Sequence, residues 1–408
     1  MNADCIELVR IRFVGTLAVL LWPVLVHGQS VTVSSTSELR AAVNDANGSG
    51  GNVTIFVEAG TYTLDDGLYI SAPEVTIAGK SGNREDVVIQ GDAMSASASV
   101  GNLITVAAKG FTLDAVTLQR SGNHLIQIRG ETNADSPVVR NCILRDAYEQ
   151  MLKVSVNTSN TSVSSDNGIV ENCLFEYTAG IGPQYYIGGI DAHSAKNWIV
   201  RNNVFKSIIS PNTSIAEYAI HFWNDSGDNL VERNLIINCD RGIGFGLNSR
   251  GNTGGIIRNN MIYHADNRGQ FADVGIAIHN SPGTAVYNNS IFMEHGYPNS
   301  IEYRFSGTSN ALIANNLVNA TIRRLDGASG TESTNNTGAS KAWFVNPDAG
   351  DLHLAEAVPS VVDNGEAITG LTDDYDGDQR MQGGPVDIGA DEYFAGVRPN
   401  APEDLTVQ

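Results

Sequence analysis

IVRNNVF at Ile199–Phe205 is one copy of a phrase that keeps returning along the chain. VVRNCIL (Val138–Leu144) and IVENCLF (Ile169–Phe175) precede it. VERNLII (Val231–Ile237), IIRNNMI (Ile256–Ile262), AVYNNSI (Ala285–Ile291) and LIANNLV (Leu312–Val318) follow. The last Asn or Cys of each copy falls at Cys142, Cys173, Asn203, Asn234, Asn260, Asn289 and Asn316, a period of 26 to 31 residues. Self-similarity on that scale marks stacked units that bury a core only against their neighbours. Each copy is short, rich in β-branched residues and flanked by Gly, Asn and Ser, which reads as a strand between turns. An Asn at one register of successive copies predicts a ladder of side-chain amides, each bonded to the next coil. The repeat therefore predicts an all-β chain, a parallel β-helix solenoid.

Composition and the two ends agree with this reading. Glycine is frequent, at 42 of 408 residues, and only 17% of residues are charged. A net charge of −20 argues against nucleic acid, which requires a basic face. Arg10 and Arg12 precede an apolar run from Phe13 to Val26, and Val26-His27-Gly28 supplies small residues before Gln29. That pattern predicts a signal peptide over 1–28 and a secreted, periplasmic or cell-surface protein. The run is too short to favour a transmembrane helix, so none is expected in the mature chain, which reads as a monomer. Ser35-Thr36-Ser37-Glu38 is a capping-box pattern opening a short helix within an N-terminal cap over 29–52. The solenoid is expected over 53–345 and a compact acidic cap segment over 346–396. Residues 397–408 read as a linker entering a fibronectin type III-like module. Cys142, Cys173 and Cys239 are expected as core residues rather than disulfide partners, because in-register parallel strands set side chains side by side. Asp374-Tyr375-Asp376-Gly377-Asp378 suggests calcium, although its glycine is misplaced for a helix-loop site.

LYISAPEVTIAGKSGNREDVVIQG (Leu68–Gly91), FTLDAVTLQ (Phe111–Gln119) and the Asn-Asn coils resemble right-handed parallel β-helix proteins of the pectate-lyase-like superfamily. The resemblance covers roughly Val31 to Val345. Asp373–Tyr393 is similar to an ending common in exported bacterial β-helix proteins. The resemblance implies activity on polysaccharide, since this superfamily holds alginate and chondroitin lyases, pectin hydrolases and uronate epimerases. It does not select among them, because one fold hosts many chemistries. The Asp-rich strand motifs of polygalacturonase-type hydrolases are missing.

Alternation locates a working face. LIQIR (Leu125–Arg129), MLKVS (Met151–Ser155), GIDAH (Gly189–His193), AIHFW (Ala219–Trp223), GIGFG (Gly242–Gly246), GIAIH (Gly275–His279) and SIEYR (Ser300–Arg304) form a second strand in each turn. Their second and fourth residues are apolar and point inward, so the third and fifth face out. The third-position column is Gln127, Lys153, Asp191, His221, Gly244, Ala277, Glu302. The fifth is Arg129, Ser155, His193, Trp223, Gly246, His279, Arg304. At about 4.8 Å per rung, Arg129, Lys153, Asp191, His193, His221 and Trp223 share a strip roughly 15 Å long. Gly244 and Gly246 suggest space for a ligand against the backbone. Connections near Asn157–Asn167 and Tyr177–Gly188, the latter carrying Tyr185 and Tyr186, would wall the strip.

These residue types suit β-elimination from a uronate-containing polysaccharide. The reaction needs a cation for the carboxylate, a base for the adjacent C–H and an acid for the leaving oxygen. Lys153, Asp191, His193 and His221 are the catalytic candidates. Arg129 and Lys153 suit neutralisation, Lys153 or His221 the base, and His193 or Tyr186 the acid. Arg129, Tyr186, Trp223, His279 and Arg304 are candidate substrate-binding residues. Asp191 could instead help to bind calcium. Hydrolysis would pair Asp191 with Asp225, Asp240 or Asp273. A glycan-binding or adhesin solenoid is the non-catalytic alternative. Asp240, Arg241 and Glu217 read as salt links that order turns.

Overall fold

A computed structural model describes residues 28–394, except 161, 212–213, 267–270 and 382–383. The expected signal segment up to 27 and the linker from 397 lie outside the described residues. Three long sheets wind along the chain. The first has twelve strands, from Gln29–Val33 to Gly330–Ser333. The second has ten, from Gly60–Thr63 to Leu317–Val318, and the third has ten, from Leu68–Ile70 to Thr321–Leu325. Neighbours are parallel and hold register rung by rung: Val139, Val170, Val200, Val231, Ile257, Val286 and Ile313 form one continuous column. The chain is a parallel β-solenoid, as the repeat predicted.

The repeated phrase is not one strand but two. Ile199–Arg201 belongs to the first sheet and Val204–Lys206 to the second. The residue between them turns the corner in the left-handed region. This holds at Asn141, Asn172, Asn202, Arg233, Asn259, Asn288 and Asn315, all with φ between 51° and 56°. A short polar side chain tolerates that conformation better than most, which explains the first Asn of the pair. The second Asn turns inward and builds the amide ladder. Asn203 donates to Asn234 (3.0 Å), Asn234 to Asn260 (3.0 Å), Asn260 to Asn289 (2.9 Å) and Asn289 to Asn316 (3.0 Å). Asn316 continues it to Asn335, a rung the sequence reading did not include (2.9 Å). Cys142 and Cys173 occupy the same column as buried free thiols, and Cys239 is also buried and unpaired.

Helix α1 (Thr36–Ser49) closes the first end. Ser35 caps it by accepting from the Glu38 amide, and Glu38 accepts from the amide of Ser34. Leu39, Ala42, Val43 and Ala46 bury its inner face. Asn47 donates to the Tyr69 carbonyl and accepts from Ser71 and Ala72, satisfying a sheet edge that would otherwise invite pairing. The strand Gln29–Val33 already belongs to the first sheet.

The C-terminal segment lies along the flank, not across the far end. Leu352, Leu354, Val361 and Ile388 pack on Val204, Leu235, Met261 and Leu317, outward residues of the second sheet. Within it, the buried Arg380 guanidinium bonds Glu392, Asn259 and the carbonyls of Asp373, Gly389 and Ala390. His353 lies 3.0 Å from an Asp376 oxygen. Asp374 accepts the amides of Asp376 and Asp378, so its carboxylate orders the turn that suggested calcium. Ligand atoms of Asp374, Asp376 and Asp378 do lie within 4.8 Å of one another, as do those of His353, Asp376 and Asp391.

Candidate active site

The third sheet carries the outward column as the alternation demanded. Gln127, Lys153, Asp191, His221, Gly244, Ala277 and Glu302 are consecutive rung partners. His193 pairs with Trp223, and His279 with Arg304. Outward is not exposed here, however. Asp191 is 2% exposed, His221 0% and Trp223 8%. The ring of Tyr218 lies 4.7 Å from that of His221, and the Arg250 guanidinium lies 4.0 Å above Trp223. His221 is thus sealed from any polymer, which corrects its expected role as the base.

The two glycines serve packing, not ligand access. A Cβ on Gly244 would sit 2.8 Å from the Tyr218 ring, so this glycine seats the tyrosine. Gly246 has φ 77°, and a Cβ there would lie 1.9 Å from the His279 carbonyl oxygen. The turn requires a glycine whether or not a sugar binds.

Four expected residues do converge. Lys153 Nζ donates to Asp191 Oδ2 and lies 2.9 Å from His193 Nε2. Trp223 Nε1 donates to the other oxygen of Asp191 at 2.6 Å. His193 packs against Trp223 at 4.4 Å, and His221 stacks on the same indole at 5.2 Å with rings nearly parallel. An ammonium only donates, so His193 Nε2 accepts from Lys153; the Asn224 amide nitrogen lies 3.4 Å from Nδ1. Burial opposes the charge of Asp191, but His193, Lys153 and His221 together hold its carboxyl well below the usual carboxylate range. Burial pushes His221 down to about 3, against the pull of Asp191, so this imidazole is neutral. Lys153 and His193 keep a small accessible surface; they are the groups a substrate can meet.

The other candidates are less engaged with this cluster. Arg129 is already paired with Glu131 (2.9 Å) and bonded to the Tyr69 hydroxyl (3.2 Å). Arg304 is tied to Asp326 and Glu302. His279 lies two rungs past Trp223 and packs on Phe305, its pKa lowered to about 4 chiefly by burial. Tyr186 is 37% exposed beside Tyr185, in the connection that Gln184 fastens to the Tyr148 carbonyl. No contact links it to Lys153 among the described residues. Asp240 accepts the amides of Ser210 and Ala216, and Asp273 pairs with Arg241. Asp240 thus orders a turn through backbone amides, and the salt link expected between Asp240 and Arg241 runs from Arg241 to Asp273.

Sequence reasoning missed Arg250 and misread Glu217. Arg250 is exposed, stacks on Trp223 and forms no salt bridge among the described residues. It comes from the Leu247–Arg250 turn, whose paired backbone bonds aim it back over the strip. No periodicity could place it, because it belongs to no strand. Among the described residues Glu217 makes no salt link to a lysine or arginine; its Oε2 lies 3.7 Å from His221 Nδ1. A concavity of about 510 Å³ lies elsewhere, at the final rung, lined by Thr321, Ile322, Glu332 and Asn335 among others. Glu332 is its one ionisable side chain, so the chemistry points to the Lys153 cluster instead.

No family model matches the chain, and no curated protein matches it. Solved structures do. The pectate lyase Pel9A is 13% identical, with 89% of this chain and 96% of that one covered and a TM-score of 0.47. An alginate lyase from Paenibacillus sp. str. FPU-7 is 13% identical, covering 67% and 95%, at 0.42. A mannuronic acid specific family 6 lyase from human gut microbiota is 15% identical, covering 72% and 69%, at 0.44. These are likenesses of a repeating fold.

Proposed function

We propose that the chain is an exported lyase that cleaves a uronate-containing polysaccharide by β-elimination at the Lys153 cluster. One observation carries the reading: an ammonium and an imidazole stand on the same flank as a guanidinium that has no ion-pair partner among the described residues. Lys153 has three donors and spends two on Asp191 and His193, leaving one for a sugar carboxylate. Arg250 supplies a second cation, with the planar fork that matches a carboxylate. Neutralising that carboxylate acidifies the neighbouring C–H. When Lys153 turns to the substrate, His193 Nε2 is released as the base. Trp223 fixes the orientation of Asp191, and Asp191 fixes Lys153.

No helix among the described residues is long and apolar enough to cross a membrane. Export rests on the N-terminal pattern, and recovery of a shortened chain outside expressing cells tests it. The activity test is to supply alginate, pectate, glycosaminoglycans and neutral glycans in turn. Elimination leaves a C=C bond conjugated to the carboxylate, so ultraviolet absorbance should rise with one acidic polymer and with no neutral one.

Hydrolysis is the second reading. Asp191 and Glu217 oxygens both lie within 4 Å of His221 Nδ1, hence less than 8 Å from each other. Glycosidase carboxyl pairs stand about 5–9.5 Å apart. New reducing ends without new absorbance would favour this reading.

A further inference from the structure

We infer that Glu217 is the proton donor of this site, delivering a proton to the oxygen that leaves the sugar, and that His221 is the residue that positions it. The inference rests on the proposed polysaccharide cleavage. It begins from a hydrogen-bond conflict beneath the Lys153 cluster. His221 Nε2 lies 3.3 Å from the Gly246 carbonyl. A carbonyl only accepts, so Nε2 carries the ring proton and Nδ1 is a bare lone pair. That nitrogen is fully buried and has no hydrogen-bond partner among the described residues. It faces two carboxyl groups, Asp191 Oδ1 at 3.9 Å and Glu217 Oε2 at 3.7 Å. A lone pair between two carboxylates in a dry site is strongly unfavourable.

Only one of the two can relieve it. Both Asp191 oxygens already accept, one from Lys153 and one from Trp223, and its proton is the harder to keep. Glu217 accepts no hydrogen bond among the described residues. Of the other acids on this flank, Glu131 is engaged by Arg129 and Ser155, Asp240 by two amides, Asp273 by Arg241 and Glu302 by Tyr297 and Asn299, while Glu149 stands 3.8 Å from His124 Nε2 and not at His221. A protonated Glu217 would donate to Nδ1 and end the conflict. Burial, then the charge of Asp191, favours that neutral form; Arg241, Lys153 and Arg250 pull against it. These groups and His221 are the titratable and charged neighbours that face it.

Position also fits. Glu217 immediately precedes the strand Tyr218–Trp223, and its amide is fixed to the Ile187 carbonyl at 2.9 Å. Gly188 stands alongside; a Cβ there would lie 3.3 Å from Glu217 Cβ and 3.3 Å from Gln150 Cγ, so the glycine keeps this approach open. The Glu217 side chain is 25% exposed, whereas His221 below it is sealed. The carboxyl can therefore meet both substrate and water. In the elimination, the C5–H bond breaks and its proton goes to the base. Its electron pair forms the C4=C5 bond, the C4–O bond breaks, and the leaving oxygen takes the Glu217 proton. Glu217 is left as carboxylate and regains a proton from water.

The test compares wild-type protein, Glu217→Gln and Glu217→Asp on the polymer that gives the absorbing product, with kcat and KM measured across pH. It adds carbon-13 NMR titration of the Glu217 carboxyl, assigned by its loss in Glu217→Gln. Expected are a fall in kcat of about 100-fold or more in Glu217→Gln with little change in KM, and loss of the alkaline limb of the pH profile. Partial recovery is expected in Glu217→Asp. The wild-type resonance should titrate above the ordinary glutamate value of 4.5. Full activity in Glu217→Gln, an alkaline limb that survives there, or an ordinary carboxyl titration overturns the inference while leaving the lyase reading intact. A wild-type protein that cleaves no polymer overturns the functional reading, and the acid role with it.

Discussion

Two outer faces of this solenoid can be set side by side. On the first sheet, Asp114, Arg140, Glu171, Arg201, Glu232 and Arg258 occupy successive rungs at one register. Charge alternates in sign, and Arg140–Asp114 (2.8 Å), Arg201–Glu171 (2.8 Å) and Arg258–Glu232 (2.7 Å) close as ion pairs. On the third sheet, the equivalent column holds Lys153, Asp191 and His221, roofed by aromatic rings. Lys153 and Asp191 still pair, but among the described residues Arg250 and Glu217 have no Lys, Arg, Asp or Glu partner, and a buried imidazole nitrogen has no hydrogen-bond partner. The first face matches each charge to its neighbour, and the proposed function rests on the face that does not.

The sharpest way to break this contrast is Lys153→Ala. Turnover should fall by about 100-fold or more, since a positioned acid–base or charge-stabilising group is worth at least that. Stability should also fall by about 3–5 kcal/mol, because Asp191 is left buried and unpaired. Lys153→Ala with Asp191→Asn should regain much of the stability and none of the turnover, as denaturant midpoints and rates will show.

Acid and alkali should attack different regions. His221 is pushed down to about 3 in the fold, below its unfolded value near 6.5. Its contribution to stability is complete above about pH 6.5 and is lost as pH falls toward 3, at up to ~1.4 kcal/mol per unit. In the C-terminal segment, His353 is pushed up to about 10, with burial opposing and Asp351, Asp376 and Asp391 prevailing. That contribution is complete below about 6.5 and is lost as pH rises toward 10. Burial likewise raises Asp374 to about 7 and Asp387 to about 6, with the same sign. Hydrogen exchange against pH should therefore show the third-sheet face loosening in acid and the flank segment loosening in alkali. Matching pH profiles for the two regions would contradict the contrast.

Asn260→Leu probes the interior that both faces share. It removes the acceptor of the Asn234 backbone N–H, which is left unsatisfied in the core at about 1–3 kcal/mol, and breaks the side-chain ladder on both sides. Thermal unfolding should register the loss, whereas the pH profile of any activity should not move. The smallest effect belongs to the charge ladder. Arg201→Ala removes a partly exposed pair and should cost less than about 1 kcal/mol, with rates unchanged.

How much of this could be read from the sequence varied with periodicity. The Asn that returns every 26 to 31 residues defined the stack, because a buried amide ladder admits only one register. The corner at the preceding Asn was not visible, since a left-handed residue inside a β-branched phrase looks like one more strand position. Lys153, Asp191, His193 and Trp223 were legible because a strand's period of two sends them all outward. Depth was not: the rings of Tyr218 and Trp223 lie against His221, and Arg250, from a turn, covers Trp223. Gly244 was read as room for a sugar when it is room for Tyr218. Glu217 was read as a turn salt link because sequence shows that an acid is present, not whether a cation reaches it.

The most direct measurement of the central claim is the rate of ultraviolet absorbance gain on uronate polymers for wild type, Arg250→Ala and Arg201→Ala, run together. Both arginines carry one charge; Arg201 is paired with Glu171, whereas Arg250 stacks on Trp223 with no ion-pair partner among the described residues. The account predicts an absorbing product from wild type, an undiminished rate in Arg201→Ala, and a raised KM of about tenfold or more in Arg250→Ala, as expected for loss of a charged hydrogen bond to substrate. Equal losses in the two variants, or cleavage that yields reducing ends and no absorbing product, would contradict it.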